Sequence, residues 1–297
     1  RDLVRSRGLG DVYKRQIQRS HRRGNFVSRV FINEWKRAIN TSTILAVIGV
    51  MFCICFDSWN DLVSAMQSGN PVWCVYYFIS NSAFGGMCRN YILPVFAALP
   101  FAASLCEERS SKAVAYIASR EGMRRYGAVK YIVNILIGGL VVASGTVLLM
   151  LFLRIRLQMT SDYYEASAES AADLFHKWLA VHYPVLYCVT EAALGFMRGM
   201  LWAGASLLVS LYIRDKFVIT MFPFLGSYVI VKASQIASLD ANWRFDQILI
   251  GRTVIHNSGY TVMAAAFVSG ILVFLMGVYF TERLARGLRD GMFYESK

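Results

Sequence analysis

Charged side chains are scarce in this chain. Asp, Glu, Lys and Arg make up 17% of its 297 residues, whereas 56% are hydrophobic. Soluble domains contain about 25% charged and about 45–50% apolar residues, so both figures argue against a single soluble core. A disordered chain is ruled out as well, because 14% aromatic residues and this apolar content could not stay solvated. The composition predicts a polytopic membrane protein.

Sequence motifs for catalysis are also absent. The chain has no phosphate-binding loop of the form G-x-x-x-x-G-K-[ST], and no H-E-x-x-H, paired C-x-x-C or G-x-S-x-G pattern. Any ATP hydrolysis that the protein uses must therefore come from another chain. We expect no enzymatic activity of this one.

Cysteine and histidine are few, with six and four residues. Cys74 and Cys88 share a loop and could form a disulfide, although sequence spacing alone does not support one. His176 and His182 share another loop, a pattern more typical of a wetted surface than of a metal site. We predict no bound metal.

The first 16 residues differ from the rest of the chain. Residues 11–16 (DVYKRQ) resemble the translation of a transposase adapter used in DNA library preparation, because the codons GAT-GTG-TAT-AAG-AGA-CAG encode them. We interpret residues 1–16 as an adapter-derived segment and expect the natural start to be missing. A disordered basic N-terminus is the alternative. Without the five basic and two acidic residues of this segment, the formal net charge falls from +12 to +9.

Six apolar segments are long enough to cross a membrane, which takes about 20 residues. Their ranges are about 39–56, 83–106, 129–153, 185–213, 217–237 and 261–281. The second segment contains Pro94 and Pro100, and the fourth is longer than a bilayer requires. We therefore predict an all-α polytopic membrane protein with six transmembrane helices.

The distribution of basic residues predicts the orientation. With six spans, both termini lie on one side of the membrane. The segments on that side carry 18 Lys and Arg residues after residue 16, against six in the opposite loops. Because short basic loops stay in the cytoplasm, we expect both termini there. The basic residues flank the spans, where anionic headgroups attract them, so we expect a lipid bilayer and no nucleic acid as partner.

An amphipathic helix is predicted before the first span. Residues 25–39 place Val27, Phe31, Trp35 and Ala38 at helical spacing, with charged residues on the other faces. Such a helix lies in the membrane interface, with Trp35 at headgroup level. A plain extension of the first span is the alternative. The predicted domains are thus a cytoplasmic or interfacial helix over 17–40, a six-span domain over 41–282 and a cytoplasmic tail over 283–297.

The fourth and fifth predicted spans contain three charged residues, Glu191, Arg198 and Lys232, and an ionisable group inside a span is costly and usually faces a partner or a cavity. Glu191 and Arg198 are seven residues apart, close to two helical turns, so both point the same way. Lys232 on the next span falls at a depth similar to that of Glu191. We predict that Glu191 neutralises Arg198 or Lys232 across the bundle interior or an outward cavity, as part of a possible pathway. A static pair that only sets helix register is the alternative.

Small residues are spaced four apart on the fourth span, at Gly195, Gly199 and Ala203. This spacing lets two helix backbones approach closely. We expect this face to pack against another helix.

The connection after the second span completes a recognisable pattern. Glu107 or Glu108 is followed by the apolar run 113–118, by Ser119-Arg120 and by Lys130. An interfacial helix, six spans with cytoplasmic ends and this connection together resemble the permease subunit of type-2 ABC transporters, the exporter class. In that family a Glu-containing helix, a short apolar helix, a [ST]-R turn and a Lys that opens the third span follow one another.

The resemblance implies partners and a site. A separate ABC ATPase subunit would dock beneath the membrane, and ATP and Mg²⁺ would bind to it, with no cofactor in this chain. The residues implied in ATPase coupling are Glu107, Glu108, Ser119, Arg120, Lys130 and Trp35. The resemblance also implies a second permease, in a homodimer or heterodimer, and a multi-pass location in the bacterial cytoplasmic membrane. Residues 238–260, with the apolar Ile248–Ile250, resemble a partly re-entrant element, an ordinary folded loop being the alternative.

Other classes of membrane protein fit part of the pattern. A secondary transporter or a channel would need no ATPase, and its buried charges would form an ion or proton relay. A membrane-embedded enzyme or an assembly scaffold is a third hypothesis, without a catalytic constellation to support the enzyme. The sequence contains no feature that names the substrate.

Overall fold

The computed structural model describes residues 30–67, 72–111, 114, 122–162, 174–240, 244–251 and 260–289. Within these ranges the chain forms helices and no strand. Several sequence predictions lie outside the described residues. They are the adapter-like segment 1–16, the start of the amphipathic helix, Ser119 and Arg120, and the end of the tail.

Twelve α-helices follow one another in the described ranges. They are α1 (Val30–Ala38), α2 (Thr41–Phe56), α3 (Trp59–Gln67), α4 (Val75–Gly85), α5 (Leu93–Ala98), α6 (Ser104–Ser110), α7 (Met123–Arg154), α8 (Leu174–His182), α9 (Pro184–Val209), α10 (Lys216–Ile236), α11 (Phe245–Ile250) and α12 (Tyr260–Arg289). A π-helical segment, Cys88–Ile92, lies between α4 and α5.

Four of these helices are long and apolar enough to cross a membrane: α7, α9, α10 and α12. They correspond to the third to sixth predicted spans, although the fourth ends at Val209 rather than at residue 213. Helices α1 and α2 form a pair that is bent by 54°, and the pair would make a fifth crossing if it counts as one span. Large apolar side chains such as Phe267 and Phe274 of α12 are 70% exposed, as expected for a surface that faces lipid. The part of the chain that the structure describes is therefore all-helical, and its long apolar helices are those of a multi-pass membrane protein.

The second predicted span is not one continuous helix. Residues 83–106 are divided among the end of α4, the π-helical segment, α5 and the start of α6. Gly86 is extended, with φ −67° and ψ 117°. Because helical hydrogen bonding stops there, the next N–H groups need other acceptors. The single transmembrane helix predicted over this segment is therefore not found.

Asp57, at the end of α2, supplies those acceptors. Its carboxylate accepts the backbone N–H of Cys88 and that of Arg89, each at 2.9 Å. A Cβ atom on Gly86 would lie only 2.1 Å from Asp57 Oδ2, so the carboxylate approaches through the space that glycine leaves open. Asp57 thus caps the segment after the break in the way an N-cap residue does.

Helix α7 is the centre of the bundle and packs against α2, α5, α9 and α12. Its closest approach is to α9. A Cβ atom on Gly199 would lie 2.4 Å from the carbonyl oxygen of Gly138, and one on Gly138 would lie 2.4 Å from the Cβ of Ala203. Gly195 of α9 faces Val142 of α7. The three small residues of the fourth predicted span therefore lie in the contact between α9 and α7.

Candidate functional site

A buried ion cluster joins three helices at the end of the bundle where α6 ends and α7 begins. Its cation is Lys130, which is completely buried on α7. The Lys130 Nζ lies 2.7 Å from Glu108 Oε1 on α6 and 3.3 Å from Glu34 Oε2 on α1. It also lies 5.0 Å from the centroid of the Phe101 ring, a distance at which a cation is attracted to an aromatic face.

Glu108 is the anion at the centre of this cluster, and its residue is only 3% exposed. Besides Lys130, the carboxylate accepts hydrogen bonds from the guanidinium of Arg37 and from the hydroxyl of Tyr126. Burial acts to raise the pKa of Glu108, but the charge of Lys130 and the hydrogen bonds from Lys130, Tyr126 and Arg37 outweigh it and lower that pKa below its usual range. The carboxylate is therefore ionised at neutral pH.

Residues beside Glu108 connect α6 to the other half of the bundle. Arg109 donates to the carbonyl oxygens of Ser210 and Leu211, just after α9, at 2.6 and 3.2 Å. Glu107 forms an exposed ion pair of 2.8 Å with Lys216 at the start of α10. The short helix α6 thus contacts α1, α7, α10 and the end of α9 through three consecutive side chains.

The buried face of α1 differs from the predicted one. Val30, Glu34 and Ala38, at positions i, i+4 and i+8, are buried, whereas Trp35 is half-buried and stacks on Phe31 with ring centroids 5.8 Å apart. Sequence reasoning missed Glu34, because it followed only the apolar residues of this helix. The spacing of Glu34 between Val30 and Ala38 was the available signal.

A second group of buried charges lies towards the opposite end of the bundle, around Glu191. One carboxylate oxygen lies 3.3 Å from Arg89 Nη2, and the other lies 3.2 Å from His176 Nδ1. Arg89 also donates to the carbonyl oxygen of Ile79 at 2.7 Å. The predicted pairing of Glu191 with Arg198 or Lys232 is therefore wrong, because Arg89 and His176 occupy the carboxylate.

Arg198 and Lys232 have other partners. The Arg198 guanidinium donates to the backbone and side-chain oxygens of Asn90 at 3.1 and 3.3 Å. Lys232 is exposed and donates to Gln235 at 3.3 Å. Glu191 and Arg198 do project to the same side of α9, as their spacing predicts, but they meet consecutive residues of the π-helical segment. Irregular π-helical turns of this kind often occur at functional sites.

His176 is buried rather than wetted, with 2% of its surface exposed. Its Nε2 lies 3.0 Å from the carbonyl oxygen of Gly251, and its Nδ1 faces Glu191. Both ring nitrogens thus face oxygen acceptors, so an attractive contact with Glu191 requires a proton on Nδ1 or on the carboxyl group. His182, in contrast, is exposed.

The two cysteines that could have formed a disulfide, Cys74 and Cys88, are both free thiols. Within the ranges that the structure covers, no three His, Cys, Asp or Glu side chains are grouped so as to hold a metal ion. The apolar residues Leu249 and Ile250 belong to the short helix α11, where they are buried against α9, α10 and α12.

In comparisons with known proteins, no protein-family model, curated protein or solved structure matches the chain.

Proposed function

We propose that this chain is the membrane-spanning permease subunit of an ATP-driven ABC exporter of the type-2 class. The observation that carries the proposal is the contact between Glu108 and Lys130 inside a cluster that joins α1, α6 and α7. The family resemblance assigns coupling to an ATPase to these same elements. A rigid, buried ion cluster at the base of the bundle suits a part that must transmit force.

The full proposal includes features beyond the described helices. The chain makes six crossings, the second through the broken segment between α4 and α6, and both termini lie in the cytoplasm of a bacterial cell. A second permease, identical or similar, completes the pathway. A separate ATPase subunit binds ATP and Mg²⁺ and docks against the connection between α6 and α7. This chain supplies no catalytic residue.

The geometry of α6 supports a mechanism of coupling. When ATP closes the ATPase subunits, they displace the connection that starts at α6. Glu108 holds α6 to α1 and α7, so these three helices move together, while Arg109 and Glu107 pass the displacement to α9 and α10. Helices α1, α7, α9 and α10 thus all move when α6 moves. Their joint movement shifts the bundle between inward and outward states.

Recovery of the complex tests the proposal. We expect the tagged chain, purified from native membranes, to carry a stoichiometric ATPase whose activity depends on Mg²⁺. The variant Arg120→Glu, in the proposed docking connection, should recover much less ATPase. The matched variant Arg156→Glu, an exposed residue after α7 at the opposite end, should recover the normal amount. Equal recovery with both variants would place the contact elsewhere, and a chain without an ATPase would contradict the proposal.

A secondary transporter or channel is the alternative, and the buried group of Arg89, Glu191 and His176 favours it. These groups could carry a proton or an ion without an ATPase. Flux into liposomes that contain only this chain, without ATP, would support the alternative and overturn the exporter. An ion-dependent flux that is lost in Glu191→Gln but kept in Lys232→Gln would identify the buried group as the relay.

A further inference from the structure

Arg198 is a partly buried cation in the middle of α9, one of the four long apolar helices. Its guanidinium donates only to the neutral oxygens of Asn90. In the part of the chain that the structure describes, no ion pair includes Arg198. A cation at this depth is costly unless an opposite charge or water accompanies it. The position therefore calls for a compensating group.

A small cavity lies between Arg198 and a second guanidinium, that of Arg89. Its volume is about 20 Å³, which is room for about one water-sized particle. The remaining lining is Leu93, Val142, Thr146, Leu194, Gly195, Leu249 and Ile250. A second cavity of the same size touches the other side of Arg198 and is lined in part by Trp202 and Asp246. Two cations thus border a small space whose other lining residues are mostly apolar.

The charged residues that line the two cavities differ in their partners. Glu191 neutralises Arg89, at 3.3 Å. Asp246 is held by Arg244 at 2.9 Å and accepts from Gln247 as well. Arg198 lines both cavities and, among the described residues, forms no ion pair.

We infer that the cavity between Arg89 and Arg198 binds one small monovalent anion of the size of chloride. The guanidinium groups supply charge and N–H donors, and the apolar side chains around them lower the local dielectric constant and so strengthen the attraction. The volume favours a single halide over a phosphate or carboxylate group, which has several heavy atoms. The site needs neither an ATPase nor a transported substrate, so its test is independent of the proposed function.

Thermal unfolding of the purified chain in an uncharged detergent tests the inference. At constant ionic strength, replacing gluconate by bromide should raise the unfolding temperature along a saturable curve, because a ligand that binds only the folded state stabilises it. The variant Arg198→Gln should lose this rise. The matched variant Arg125→Gln, an exposed residue near the start of α7, should retain it. A rise that does not saturate, or that persists in Arg198→Gln, would overturn the site.

Tryptophan fluorescence gives a second measurement that does not depend on the stability of Arg198→Gln. Bromide quenches tryptophan on contact, and Trp202 lines the cavity adjoining Arg198. We expect a saturable component of quenching in the native chain and its loss in Trp202→Phe. The same thermal titration with inorganic phosphate or with phosphatidylglycerol shows whether a larger anion or a lipid headgroup binds instead of a halide. A response to either of these without a response to bromide would overturn a chloride-sized site.

Discussion

Lys130 and Glu108 lie 22 residues apart in the sequence, yet their charged atoms are 2.7 Å apart in the interior. Both side chains are almost completely buried, so water does not solvate their charges. The contact stabilises the fold only while both charges and their hydrogen bonds remain, because removing either partner leaves the cluster with an unbalanced buried charge.

The first prediction concerns this pair. Lys130→Met should lower the free energy of unfolding by about 3–5 kcal/mol, because Glu108 and Glu34 lose their fully buried cation. The double variant with Glu108→Gln should recover a large part of that loss, since it removes a buried carboxylate that Lys130 no longer neutralises. Thermal or denaturant unfolding in detergent measures both. Lys36→Met, on the exposed side of α1, is the control and should change little. A double variant that is less stable than Lys130→Met would contradict the pairing.

The second prediction concerns pH. The pKa of Glu108 is lowered in the folded chain, relative to an unfolded value of about 4.3. The ionised carboxylate therefore stabilises the fold above the unfolded pKa, and this stability is lost as the pH falls through the lower folded value. The stability difference between the native chain and Glu108→Gln should be full at pH 7 and shrink below about pH 4. A difference that stays constant from neutral to strongly acidic pH would contradict the assignment.

The third prediction concerns the contact between α7 and α9. Gly199→Ala should destabilise the chain by about 1–3 kcal/mol, because the new methyl group would meet the Gly138 carbonyl oxygen. Gly270→Ala, on α12, has no atom within 4 Å of the added methyl group. It should be neutral or stabilising by up to about 1 kcal/mol, as alanine favours helix over glycine. Unfolding curves of the two variants decide the matter, and equal effects would contradict the close approach.

The fourth prediction distinguishes Glu191 from Lys232. Glu191→Gln should cost about 3–5 kcal/mol, because the buried guanidinium of Arg89 loses its carboxylate. Lys232→Gln should remain within about 0.5 kcal/mol of the native chain, since its ammonium is exposed and bonds only to a neighbouring side chain. If the two residues formed the pair that spacing suggested, both variants would be equally destabilised. Unfolding in detergent separates these outcomes.

The apolar sequence by itself determined that this is a helical membrane protein. Four runs between residues 123 and 289 appear as single long helices at nearly the predicted positions. The reason is local, because within lipid every backbone N–H and C=O must be satisfied, and a helix satisfies them inside one segment. The small residues of the fourth run likewise marked a helix contact, since close packing depends on side-chain size alone.

Only the tertiary structure decided where that local rule gives way and which charges meet. The second apolar run is broken at Gly86 because Asp57, from a different helix, supplies acceptors for the freed N–H groups of Cys88 and Arg89. Glu191 pairs with Arg89, 102 residues away, rather than with the neighbours that depth and spacing suggested. The position of a charged residue in the sequence does not identify its ionic partner. The packing of helices brings the partners together, and the cost of burying an isolated ion selects among them.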